Sequence, residues 1–163
     1  MGAPRLLRTF SVEHRALHCA RPFDEVHRAL IDSVPALKPE LSGLLVRGEK
    51  ENVSIARRDW PKLWLFLMRD HGALTVADGQ VSKAMQYEIG NPLTAERMTR
   101  YALAAGLYAP LRVVLFEDES GKAIFEYDLP SSLFGQFGDE RITEVGRELD
   151  AELETVLQAA SGA

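Results

Sequence analysis

Apolar and polar residues alternate over several short runs of the chain, and this alternation predicts β-strands. The clearest run covers 81–89, where Tyr87 and Ile89 fall on one side and Gln86 and Glu88 on the other. A period of two residues is typical of a strand with one buried and one hydrated face. Alternation or short all-apolar runs predict further strands over 10–20, 63–68, 111–116 and 123–129, the last two joined by a turn near Gly121.

Apolar residues at intervals of three and four predict three helices. The first begins at Pro22, because proline suits the first position of a helix. In the second, Asn91 is placed to cap the helix and Pro92 to begin it. Asp139 is the expected cap of the third. The predicted helices cover 22–33, 92–104 and 140–159, with short helix and loop expected over 35–60 and a loop over 130–138.

This order of elements predicts a single α+β domain over residues 1–163, with a mixed β-sheet and helices packed on it. The mixed sheet follows from combining a hairpin with a strand–helix–strand unit. A loose N-terminal arm is expected at 1–8 and a frayed tail at 160–163. The chain has 163 residues, 46% of them hydrophobic, which is enough for one sizeable core.

Charge and composition exclude several classes of partner. The net charge is −5 and the acidic and basic residues are interspersed, which argues against nucleic-acid binding. The longest apolar run, 63–68, is too short to cross a bilayer, so no membrane partner is expected. Cys19 is the single cysteine and cannot form an internal disulfide. Together with the lack of a signal-peptide pattern, this predicts a cytoplasmic protein.

Known reaction signatures are missing from the sequence. It contains no G-x-S-x-G, H-E-x-x-H, C-x-x-C or G-x-G-x-x-G motif. On a strand, His14 and His18 would lie about 13 Å apart, too far to share one metal ion easily. We therefore predict neither a metal site nor a cofactor.

A candidate binding site lies where the strand ending at Ile89 meets the helix beginning at Pro92. The N-terminus of a helix has unpaired N–H groups and a partial positive charge, so it can hold an anion. Arg97 and Arg100 lie on the same helix. Arg112 interrupts an apolar strand, where a buried guanidinium would need a partner. The candidate ligand-binding residues are Tyr87, Asn91, Arg97, Arg100, Arg112 and Asp128, and the predicted function is a module that binds a small anionic ligand.

Other interpretations remain open. Asn91 would serve only as a helix cap if the arginines form ion pairs with protein carboxylates. An enzyme would use His71, at the end of a predicted buried strand, as an acid–base group with Asp128 or Glu88. A homodimeric structural or assembly module would bury its aromatic residues between subunits. No catalytic residue is assigned, and whether the protein is an enzyme is left undecided.

Three pieces of the sequence together resemble the bacterial family called domain of unknown function 302. They are 87–93 (YEIGNPL), 109–114 (APLRVV) and, more weakly, 127–132 (YDLPSS), and the similarity is clearest across about 83–141. The resemblance implies a small α+β domain that associates as a homodimer. It implies no activity, because the family has none established, and so it assigns no catalytic residue. Tyr108-Ala109 depart from the acid and leucine that relatives often have before the proline.

Overall fold

The computed structural model of the protein describes residues 5–39, 60–75 and 82–163. Within them, five strands form one sheet: β1 (His14–His18), β2 (Trp64–Asp70), β3 (Ala84–Gly90), β4 (Leu111–Glu117) and β5 (Ala123–Asp128). The helices are α1 (Phe23–Ser33), α2 (Gly72–Thr75), α3 (Pro92–Thr99), α4 (Pro130–Gly135) and α5 (Glu140–Ser161), with a 3₁₀ helix at Leu103–Tyr108.

The strands are ordered β1-β5-β4-β3-β2, and every neighbouring pair is antiparallel. The α+β class is therefore confirmed, but the expected mixed sheet is corrected. The one parallel pairing in the described residues is an isolated bridge between Ala36 and Leu65. Ile89 pairs with Leu111, so the chain leaves β3 and enters β4 at the same end of the sheet. α3 and the 3₁₀ helix fill this connection, which returns the chain to the adjacent antiparallel strand instead of crossing the sheet.

The sheet has one buried and one outer face. On β4, Leu111, Val113 and Leu115 are buried, whereas Arg112 is exposed. The buried face packs against α1 and α5, whose apolar stripes complete the hydrophobic core. Tyr87, Phe125, Leu30, Ile142, Leu153 and Leu157 are among the fully buried side chains. We call the other side the outer face, and its residues include Gln86, Glu88, Arg112, Val114, Phe116, Glu126, Asp128 and His14.

The predicted helix starts are confirmed at two caps. The Asn91 side chain accepts a hydrogen bond from the Leu93 N–H, and the Asp139 side chain accepts one from the Arg141 N–H, both at 2.9 Å. The C-terminal boundary of α3 differs from the prediction. The α-helix ends at Thr99 rather than near residue 104, and the 3₁₀ helix continues from Leu103.

The predicted loop over 130–138 is wrong, because its first part forms α4. Pro130 occupies the first turn of that helix, and the Asp150 side chain accepts a hydrogen bond from the Ser131 N–H at 2.8 Å. An acid on α5 thus satisfies a free N–H at the start of α4. Sequence reasoning missed the helix because this partner lies nineteen residues away.

The C-terminal tail is also more ordered than expected. α5 continues to Ser161, which is fully buried, and the Ser161 carbonyl accepts hydrogen bonds from the N–H groups of Ala20 and Arg21 at 3.0 and 3.3 Å. This contact joins the end of α5 to the segment after β1.

The predictions for residues 1–4 and 40–59 fall outside the described residues. No helix in the described ranges is long and apolar enough to cross a membrane.

Gly146 allows α4 and α5 to approach closely, and we expect Gly146→Ala to destabilise the protein. A Cβ at position 146 would lie 2.8 Å from the Ser131 Cα and 3.2 Å from the Ser131 N. This overpacking should cost about 1–3 kcal/mol, more than the roughly 1 kcal/mol that alanine contributes to a helix. The measurement is urea unfolding followed by circular dichroism.

The matched control is Gly135→Ala in α4. A Cβ at position 135 would meet no atom within 4 Å, so this variant should be as stable as the original protein or slightly more stable. Equal free energies of unfolding for the two variants would contradict the close approach at Gly146.

Candidate functional site

An apolar cavity of about 110 Å³ lies where β3 ends and β4 begins. The first turns of α3 form one wall, and side chains from β2, α4 and α5 close the others. We call it the α3 cavity. Its main apolar lining residues are Phe66, Pro92, Met98, Pro110, Phe134 and Leu149.

An open depression of about 250 Å³ with both polar and apolar walls adjoins the α3 cavity, and we call it the Lys62 depression. Asn91 and Thr94 line both spaces. Lys62, Arg97 and Glu152 supply its charged side chains, and the Lys62 Nζ lies 3.7 Å from the Glu152 Oε1. Burial raises the pKa of Glu152, while the nearby Lys62 ammonium lowers it in part.

The Asn91 side chain joins the segments around these two spaces. Its Oδ1 accepts from the Leu93 N–H, which caps α3. Its Nδ2 donates to the carbonyls of Lys62 at 3.0 Å and Pro61 at 3.4 Å. The side chain is thus committed to protein partners. Asn91 therefore positions α3 and Lys62 relative to each other.

Arg97 and Arg100 form ion pairs with protein carboxylates, as one of the open interpretations anticipated. Arg97 Nη1 and Nη2 donate to both oxygens of Glu148 at 2.6 and 2.7 Å. Arg100 forms an equivalent two-bond pair with Glu96, four residues earlier on α3. Each carboxylate raises the pKa of its arginine partner, and Arg97 lowers that of Glu148. Arg97 lines the Lys62 depression and a neighbouring one, whereas Arg100 lines only the neighbouring one, with Tyr101 and Arg141.

Arg112 is exposed on the outer face of the sheet, which corrects the expectation of a buried guanidinium. In the described parts of the chain no carboxylate forms an ion pair with it. Val114 and Phe116 lie on the same face as Arg112 and are half-buried. Because β4 thus has apolar residues on both faces, its sequence shows no alternation that would place Arg112 on the outer one. Arg112 therefore needs no buried partner, and it lies on the opposite side of the sheet from the core.

Asp128 also lies on the outer face, where it pairs with a histidine. Its Oδ1 is 2.8 Å from the His14 Nδ1, and the Glu126 carboxylate is 3.4 Å from the His14 Nε2. The hydrogen bond to Asp128 is the main cause that raises the pKa of His14, with a smaller contribution from Glu126. Asp128 is thus not part of the site around Asn91.

Tyr87 is fully buried on the core face and contacts His27 of α1. The Tyr87 hydroxyl lies 2.7 Å from the His27 Nδ1, and burial raises the pKa of the phenol well above its ordinary range. The His27 ring stacks against Phe23. Sixty residues separate the two partners, so no local pattern in the sequence indicates this pair.

His71 shares no cleft with the acids proposed for an enzyme. It lies in the turn after β2, where its N–H donates to the Ala84 carbonyl. Glu88 lies four residues beyond Ala84 on β3, about 13 Å from the point where His71 meets that strand. Its carboxylate is paired with Arg69. Asp128 lies on β5, three strand spacings across the sheet and four residues along it from the level of His71, a distance of about 19 Å. Among the described residues, no group of three or more His, Cys, Asp or Glu side chains is placed to hold a metal ion.

Comparison with known proteins identifies the family. Residues 66–160 match the family model described as Domain of unknown function DUF302. This chain belongs to the DUF302 family. It is also similar to a solved structure, "Crystal structure of uncharacterized conserved protein DUF302 from Bacillus stearothermophilus", with a TM-score of 0.66 and 16% sequence identity over 90% of this chain and 97% of that one. Such low identity shows a shared fold alone, and no curated protein matches the sequence.

The DUF302 resemblance read from the sequence is therefore confirmed, but several residues around the candidate site carried no sequence signal. Lys62 and Glu152 are ninety residues apart. Phe66, Phe134 and Leu149 come from three different elements. The capping pattern at Asn91 and the candidate Arg97 were the sequence signals that pointed to this region.

We expect Asp128→Asn to lower the pKa of His14 towards its ordinary value of 6.5. A raised folded-state pKa contributes stability that is fully present below the unfolded pKa and is lost as the pH rises through the folded pKa. That contribution is small, because the His14 side chain is 54% exposed and the pair is screened by solvent. Histidine titration by NMR measures the change.

Glu126→Gln is the comparison variant and should lower the His14 pKa by a smaller amount, because Glu126 is the weaker partner. An unchanged His14 titration in Asp128→Asn would show that the contact on the outer face does not form in solution.

Proposed function

We propose that this DUF302 domain is a small-molecule binding module whose ligand occupies the α3 cavity. The observation that carries the proposal is the cavity itself, a concave apolar space with a few polar groups at its mouth. A cavity of about 150 Å³ lined by apolar side chains is known to bind benzene. At about 110 Å³, the α3 cavity suits one small aromatic ring or a short branched alkyl group.

The predicted site residues contribute unequally to this proposal. Asn91 lines the cavity, and Arg97 lines the adjoining depression. Tyr87, Arg100 and Asp128 bond to other parts of the protein, and Arg112 is exposed on the outer face of the sheet. The lack of a shared cleft around His71 favours binding over catalysis. We propose a cytoplasmic setting, in keeping with the single cysteine.

The first test uses benzene as the probe, with NMR chemical shifts and thermal unfolding as the measurements. We expect a dissociation constant on the order of 1 mM. Ala95 lines the cavity, so Ala95→Leu should fill part of it and weaken benzene binding at least tenfold. An increase in melting temperature with benzene should be lost in the same variant.

Ala151→Leu provides the matched control, because Ala151 is exposed on α5 and does not line the cavity. It should bind benzene as the original protein does. The proposal fails if benzene does not bind, or if Ala95→Leu and Ala151→Leu bind it equally well.

We also propose that the outer face mediates homodimerisation. Asp128, Arg112 and Glu88 alternate in charge across neighbouring strands, and the half-buried Val114 and Phe116 lie on the same face. A two-fold related copy could place the guanidinium of Arg112 opposite the acids of its partner. Such isologous contacts are the usual geometry of homodimers.

If this is correct, Arg112→Ala should raise the dimer dissociation constant about tenfold, because an interfacial charge pair is lost. Arg28→Ala is the control, since Arg28 is an exposed residue of α1. Analytical ultracentrifugation measures both constants. A monomeric original protein at micromolar concentration, or the same constant for both variants, would exclude the outer face as the interface.

A further inference from the structure

We infer that the ligand of the α3 cavity is a small amphiphile, with its apolar group in the cavity and a carboxylate head in the Lys62 depression. This inference rests on the proposed function, since it specifies the ligand of the same site. It follows from three features of the described residues: the adjacency of the two spaces, a threonine between them whose hydroxyl has no protein partner, and the arrangement of charges around the outer space.

The two spaces are neighbours with common walls. Asn91 and Thr94, at the start of α3, line both, so the two spaces adjoin there. A molecule larger than the cavity reaches the Lys62 depression by extending past the start of this helix. The inner space is almost entirely apolar, whereas the outer space combines charged side chains with the apolar Trp60, Pro61 and Leu93. This sequence of surfaces matches a molecule with one apolar and one polar end.

Thr94 lies between the two spaces, and its hydroxyl is available to a ligand. In the described residues it has no hydrogen-bond partner. Asn91, by contrast, uses its side chain to cap α3 and to hold the carbonyls of Pro61 and Lys62. Thr94 is thus the polar side chain at the mouth that a ligand can contact without breaking a protein contact.

The cations of the depression are only partly used by protein acids. The Lys62 side chain is 80% exposed, and its 3.7 Å contact with Glu152 is longer than a hydrogen bond. Arg97 holds Glu148 through Nη1 and Nη2, so its Nε–H takes no part in that pair. Both side chains can therefore donate to an incoming carboxylate while the pair between Arg97 and Glu148 stays intact.

Glu152 is the acid that opposes such a head group, and its environment limits the repulsion. Its side chain is 23% exposed, and burial raises its pKa. A carboxylate bound nearby would further favour the protonated form of Glu152, which can donate a hydrogen bond. A cationic head would instead have to lie beside both Lys62 and Arg97. The arrangement thus selects an anion over a cation.

Three probes that share one aromatic ring test the inference by calorimetry or NMR: benzene, which has no head group, phenylacetate, which has an anionic one, and 2-phenylethylamine, which has a cationic one. We expect phenylacetate to bind about tenfold more tightly than benzene, and 2-phenylethylamine to bind no more tightly than benzene. Lys62→Gln should weaken phenylacetate binding roughly three- to tenfold, as expected for a partly exposed charge contact, without changing benzene binding. Lys122→Gln, in the exposed turn between β4 and β5, is the matched control and should change neither.

The outcomes separate the two proposals. If none of the three probes binds the original protein, both the proposed function and this inference are wrong. If benzene binds but phenylacetate binds no more tightly, the cavity remains a binding site and the carboxylate head is excluded. The same conclusion holds if Lys62→Gln and Lys122→Gln change phenylacetate binding equally. Preferential binding of 2-phenylethylamine would overturn the choice of charge.

Discussion

The side chain of Asn91 forms the contacts on which the geometry of the candidate site depends. Its amide oxygen accepts a hydrogen bond from the Leu93 N–H in the first turn of α3, and its amide nitrogen donates to the carbonyls of Pro61 and Lys62 just before β2. It therefore fixes the direction in which the chain leaves β3, the start of the helix and the position of Lys62. A helix cap is worth about 1 kcal/mol by itself. Here the same group also joins two segments that are thirty residues apart, so the walls of the cavity and of the depression are positioned together.

The antiparallel sheet distributes the polar residues of the central region over different surfaces. Successive side chains of a strand point to opposite faces, so residues that are adjacent in sequence end on opposite sides of the sheet. Tyr87 lies in the core with His27, while Arg112 and Asp128 lie on the outer face. Candidate residues predicted to form one site thus supply a buried hydrogen bond, an outer surface and a helix cap instead.

Membership of the DUF302 family establishes the fold of this chain. The candidate site is defined by the chain's own side chains around the α3 cavity. The cavity exists because the end of β3 and the start of β4 meet under α3, with α4 and α5 behind them. The close packing of α4 on α5 depends on Gly146, which admits the backbone of Ser131. Phe134 on α4 and Leu149 on α5 consequently reach the same cavity from two helices.

The sequence by itself determined the strands, the helix starts at Asn91 and Asp139, the α+β class and the family. These features depend on periodicity and on hydrogen bonds between residues two or three positions apart, which a local pattern expresses. The tertiary structure alone decided that the strands pair antiparallel, that Asp150 caps α4, that Arg112 is exposed and that Lys62 lies near Glu152. Each of these depends on which surfaces pack together, and residues that meet across long separations in the chain leave no periodic signal in the sequence.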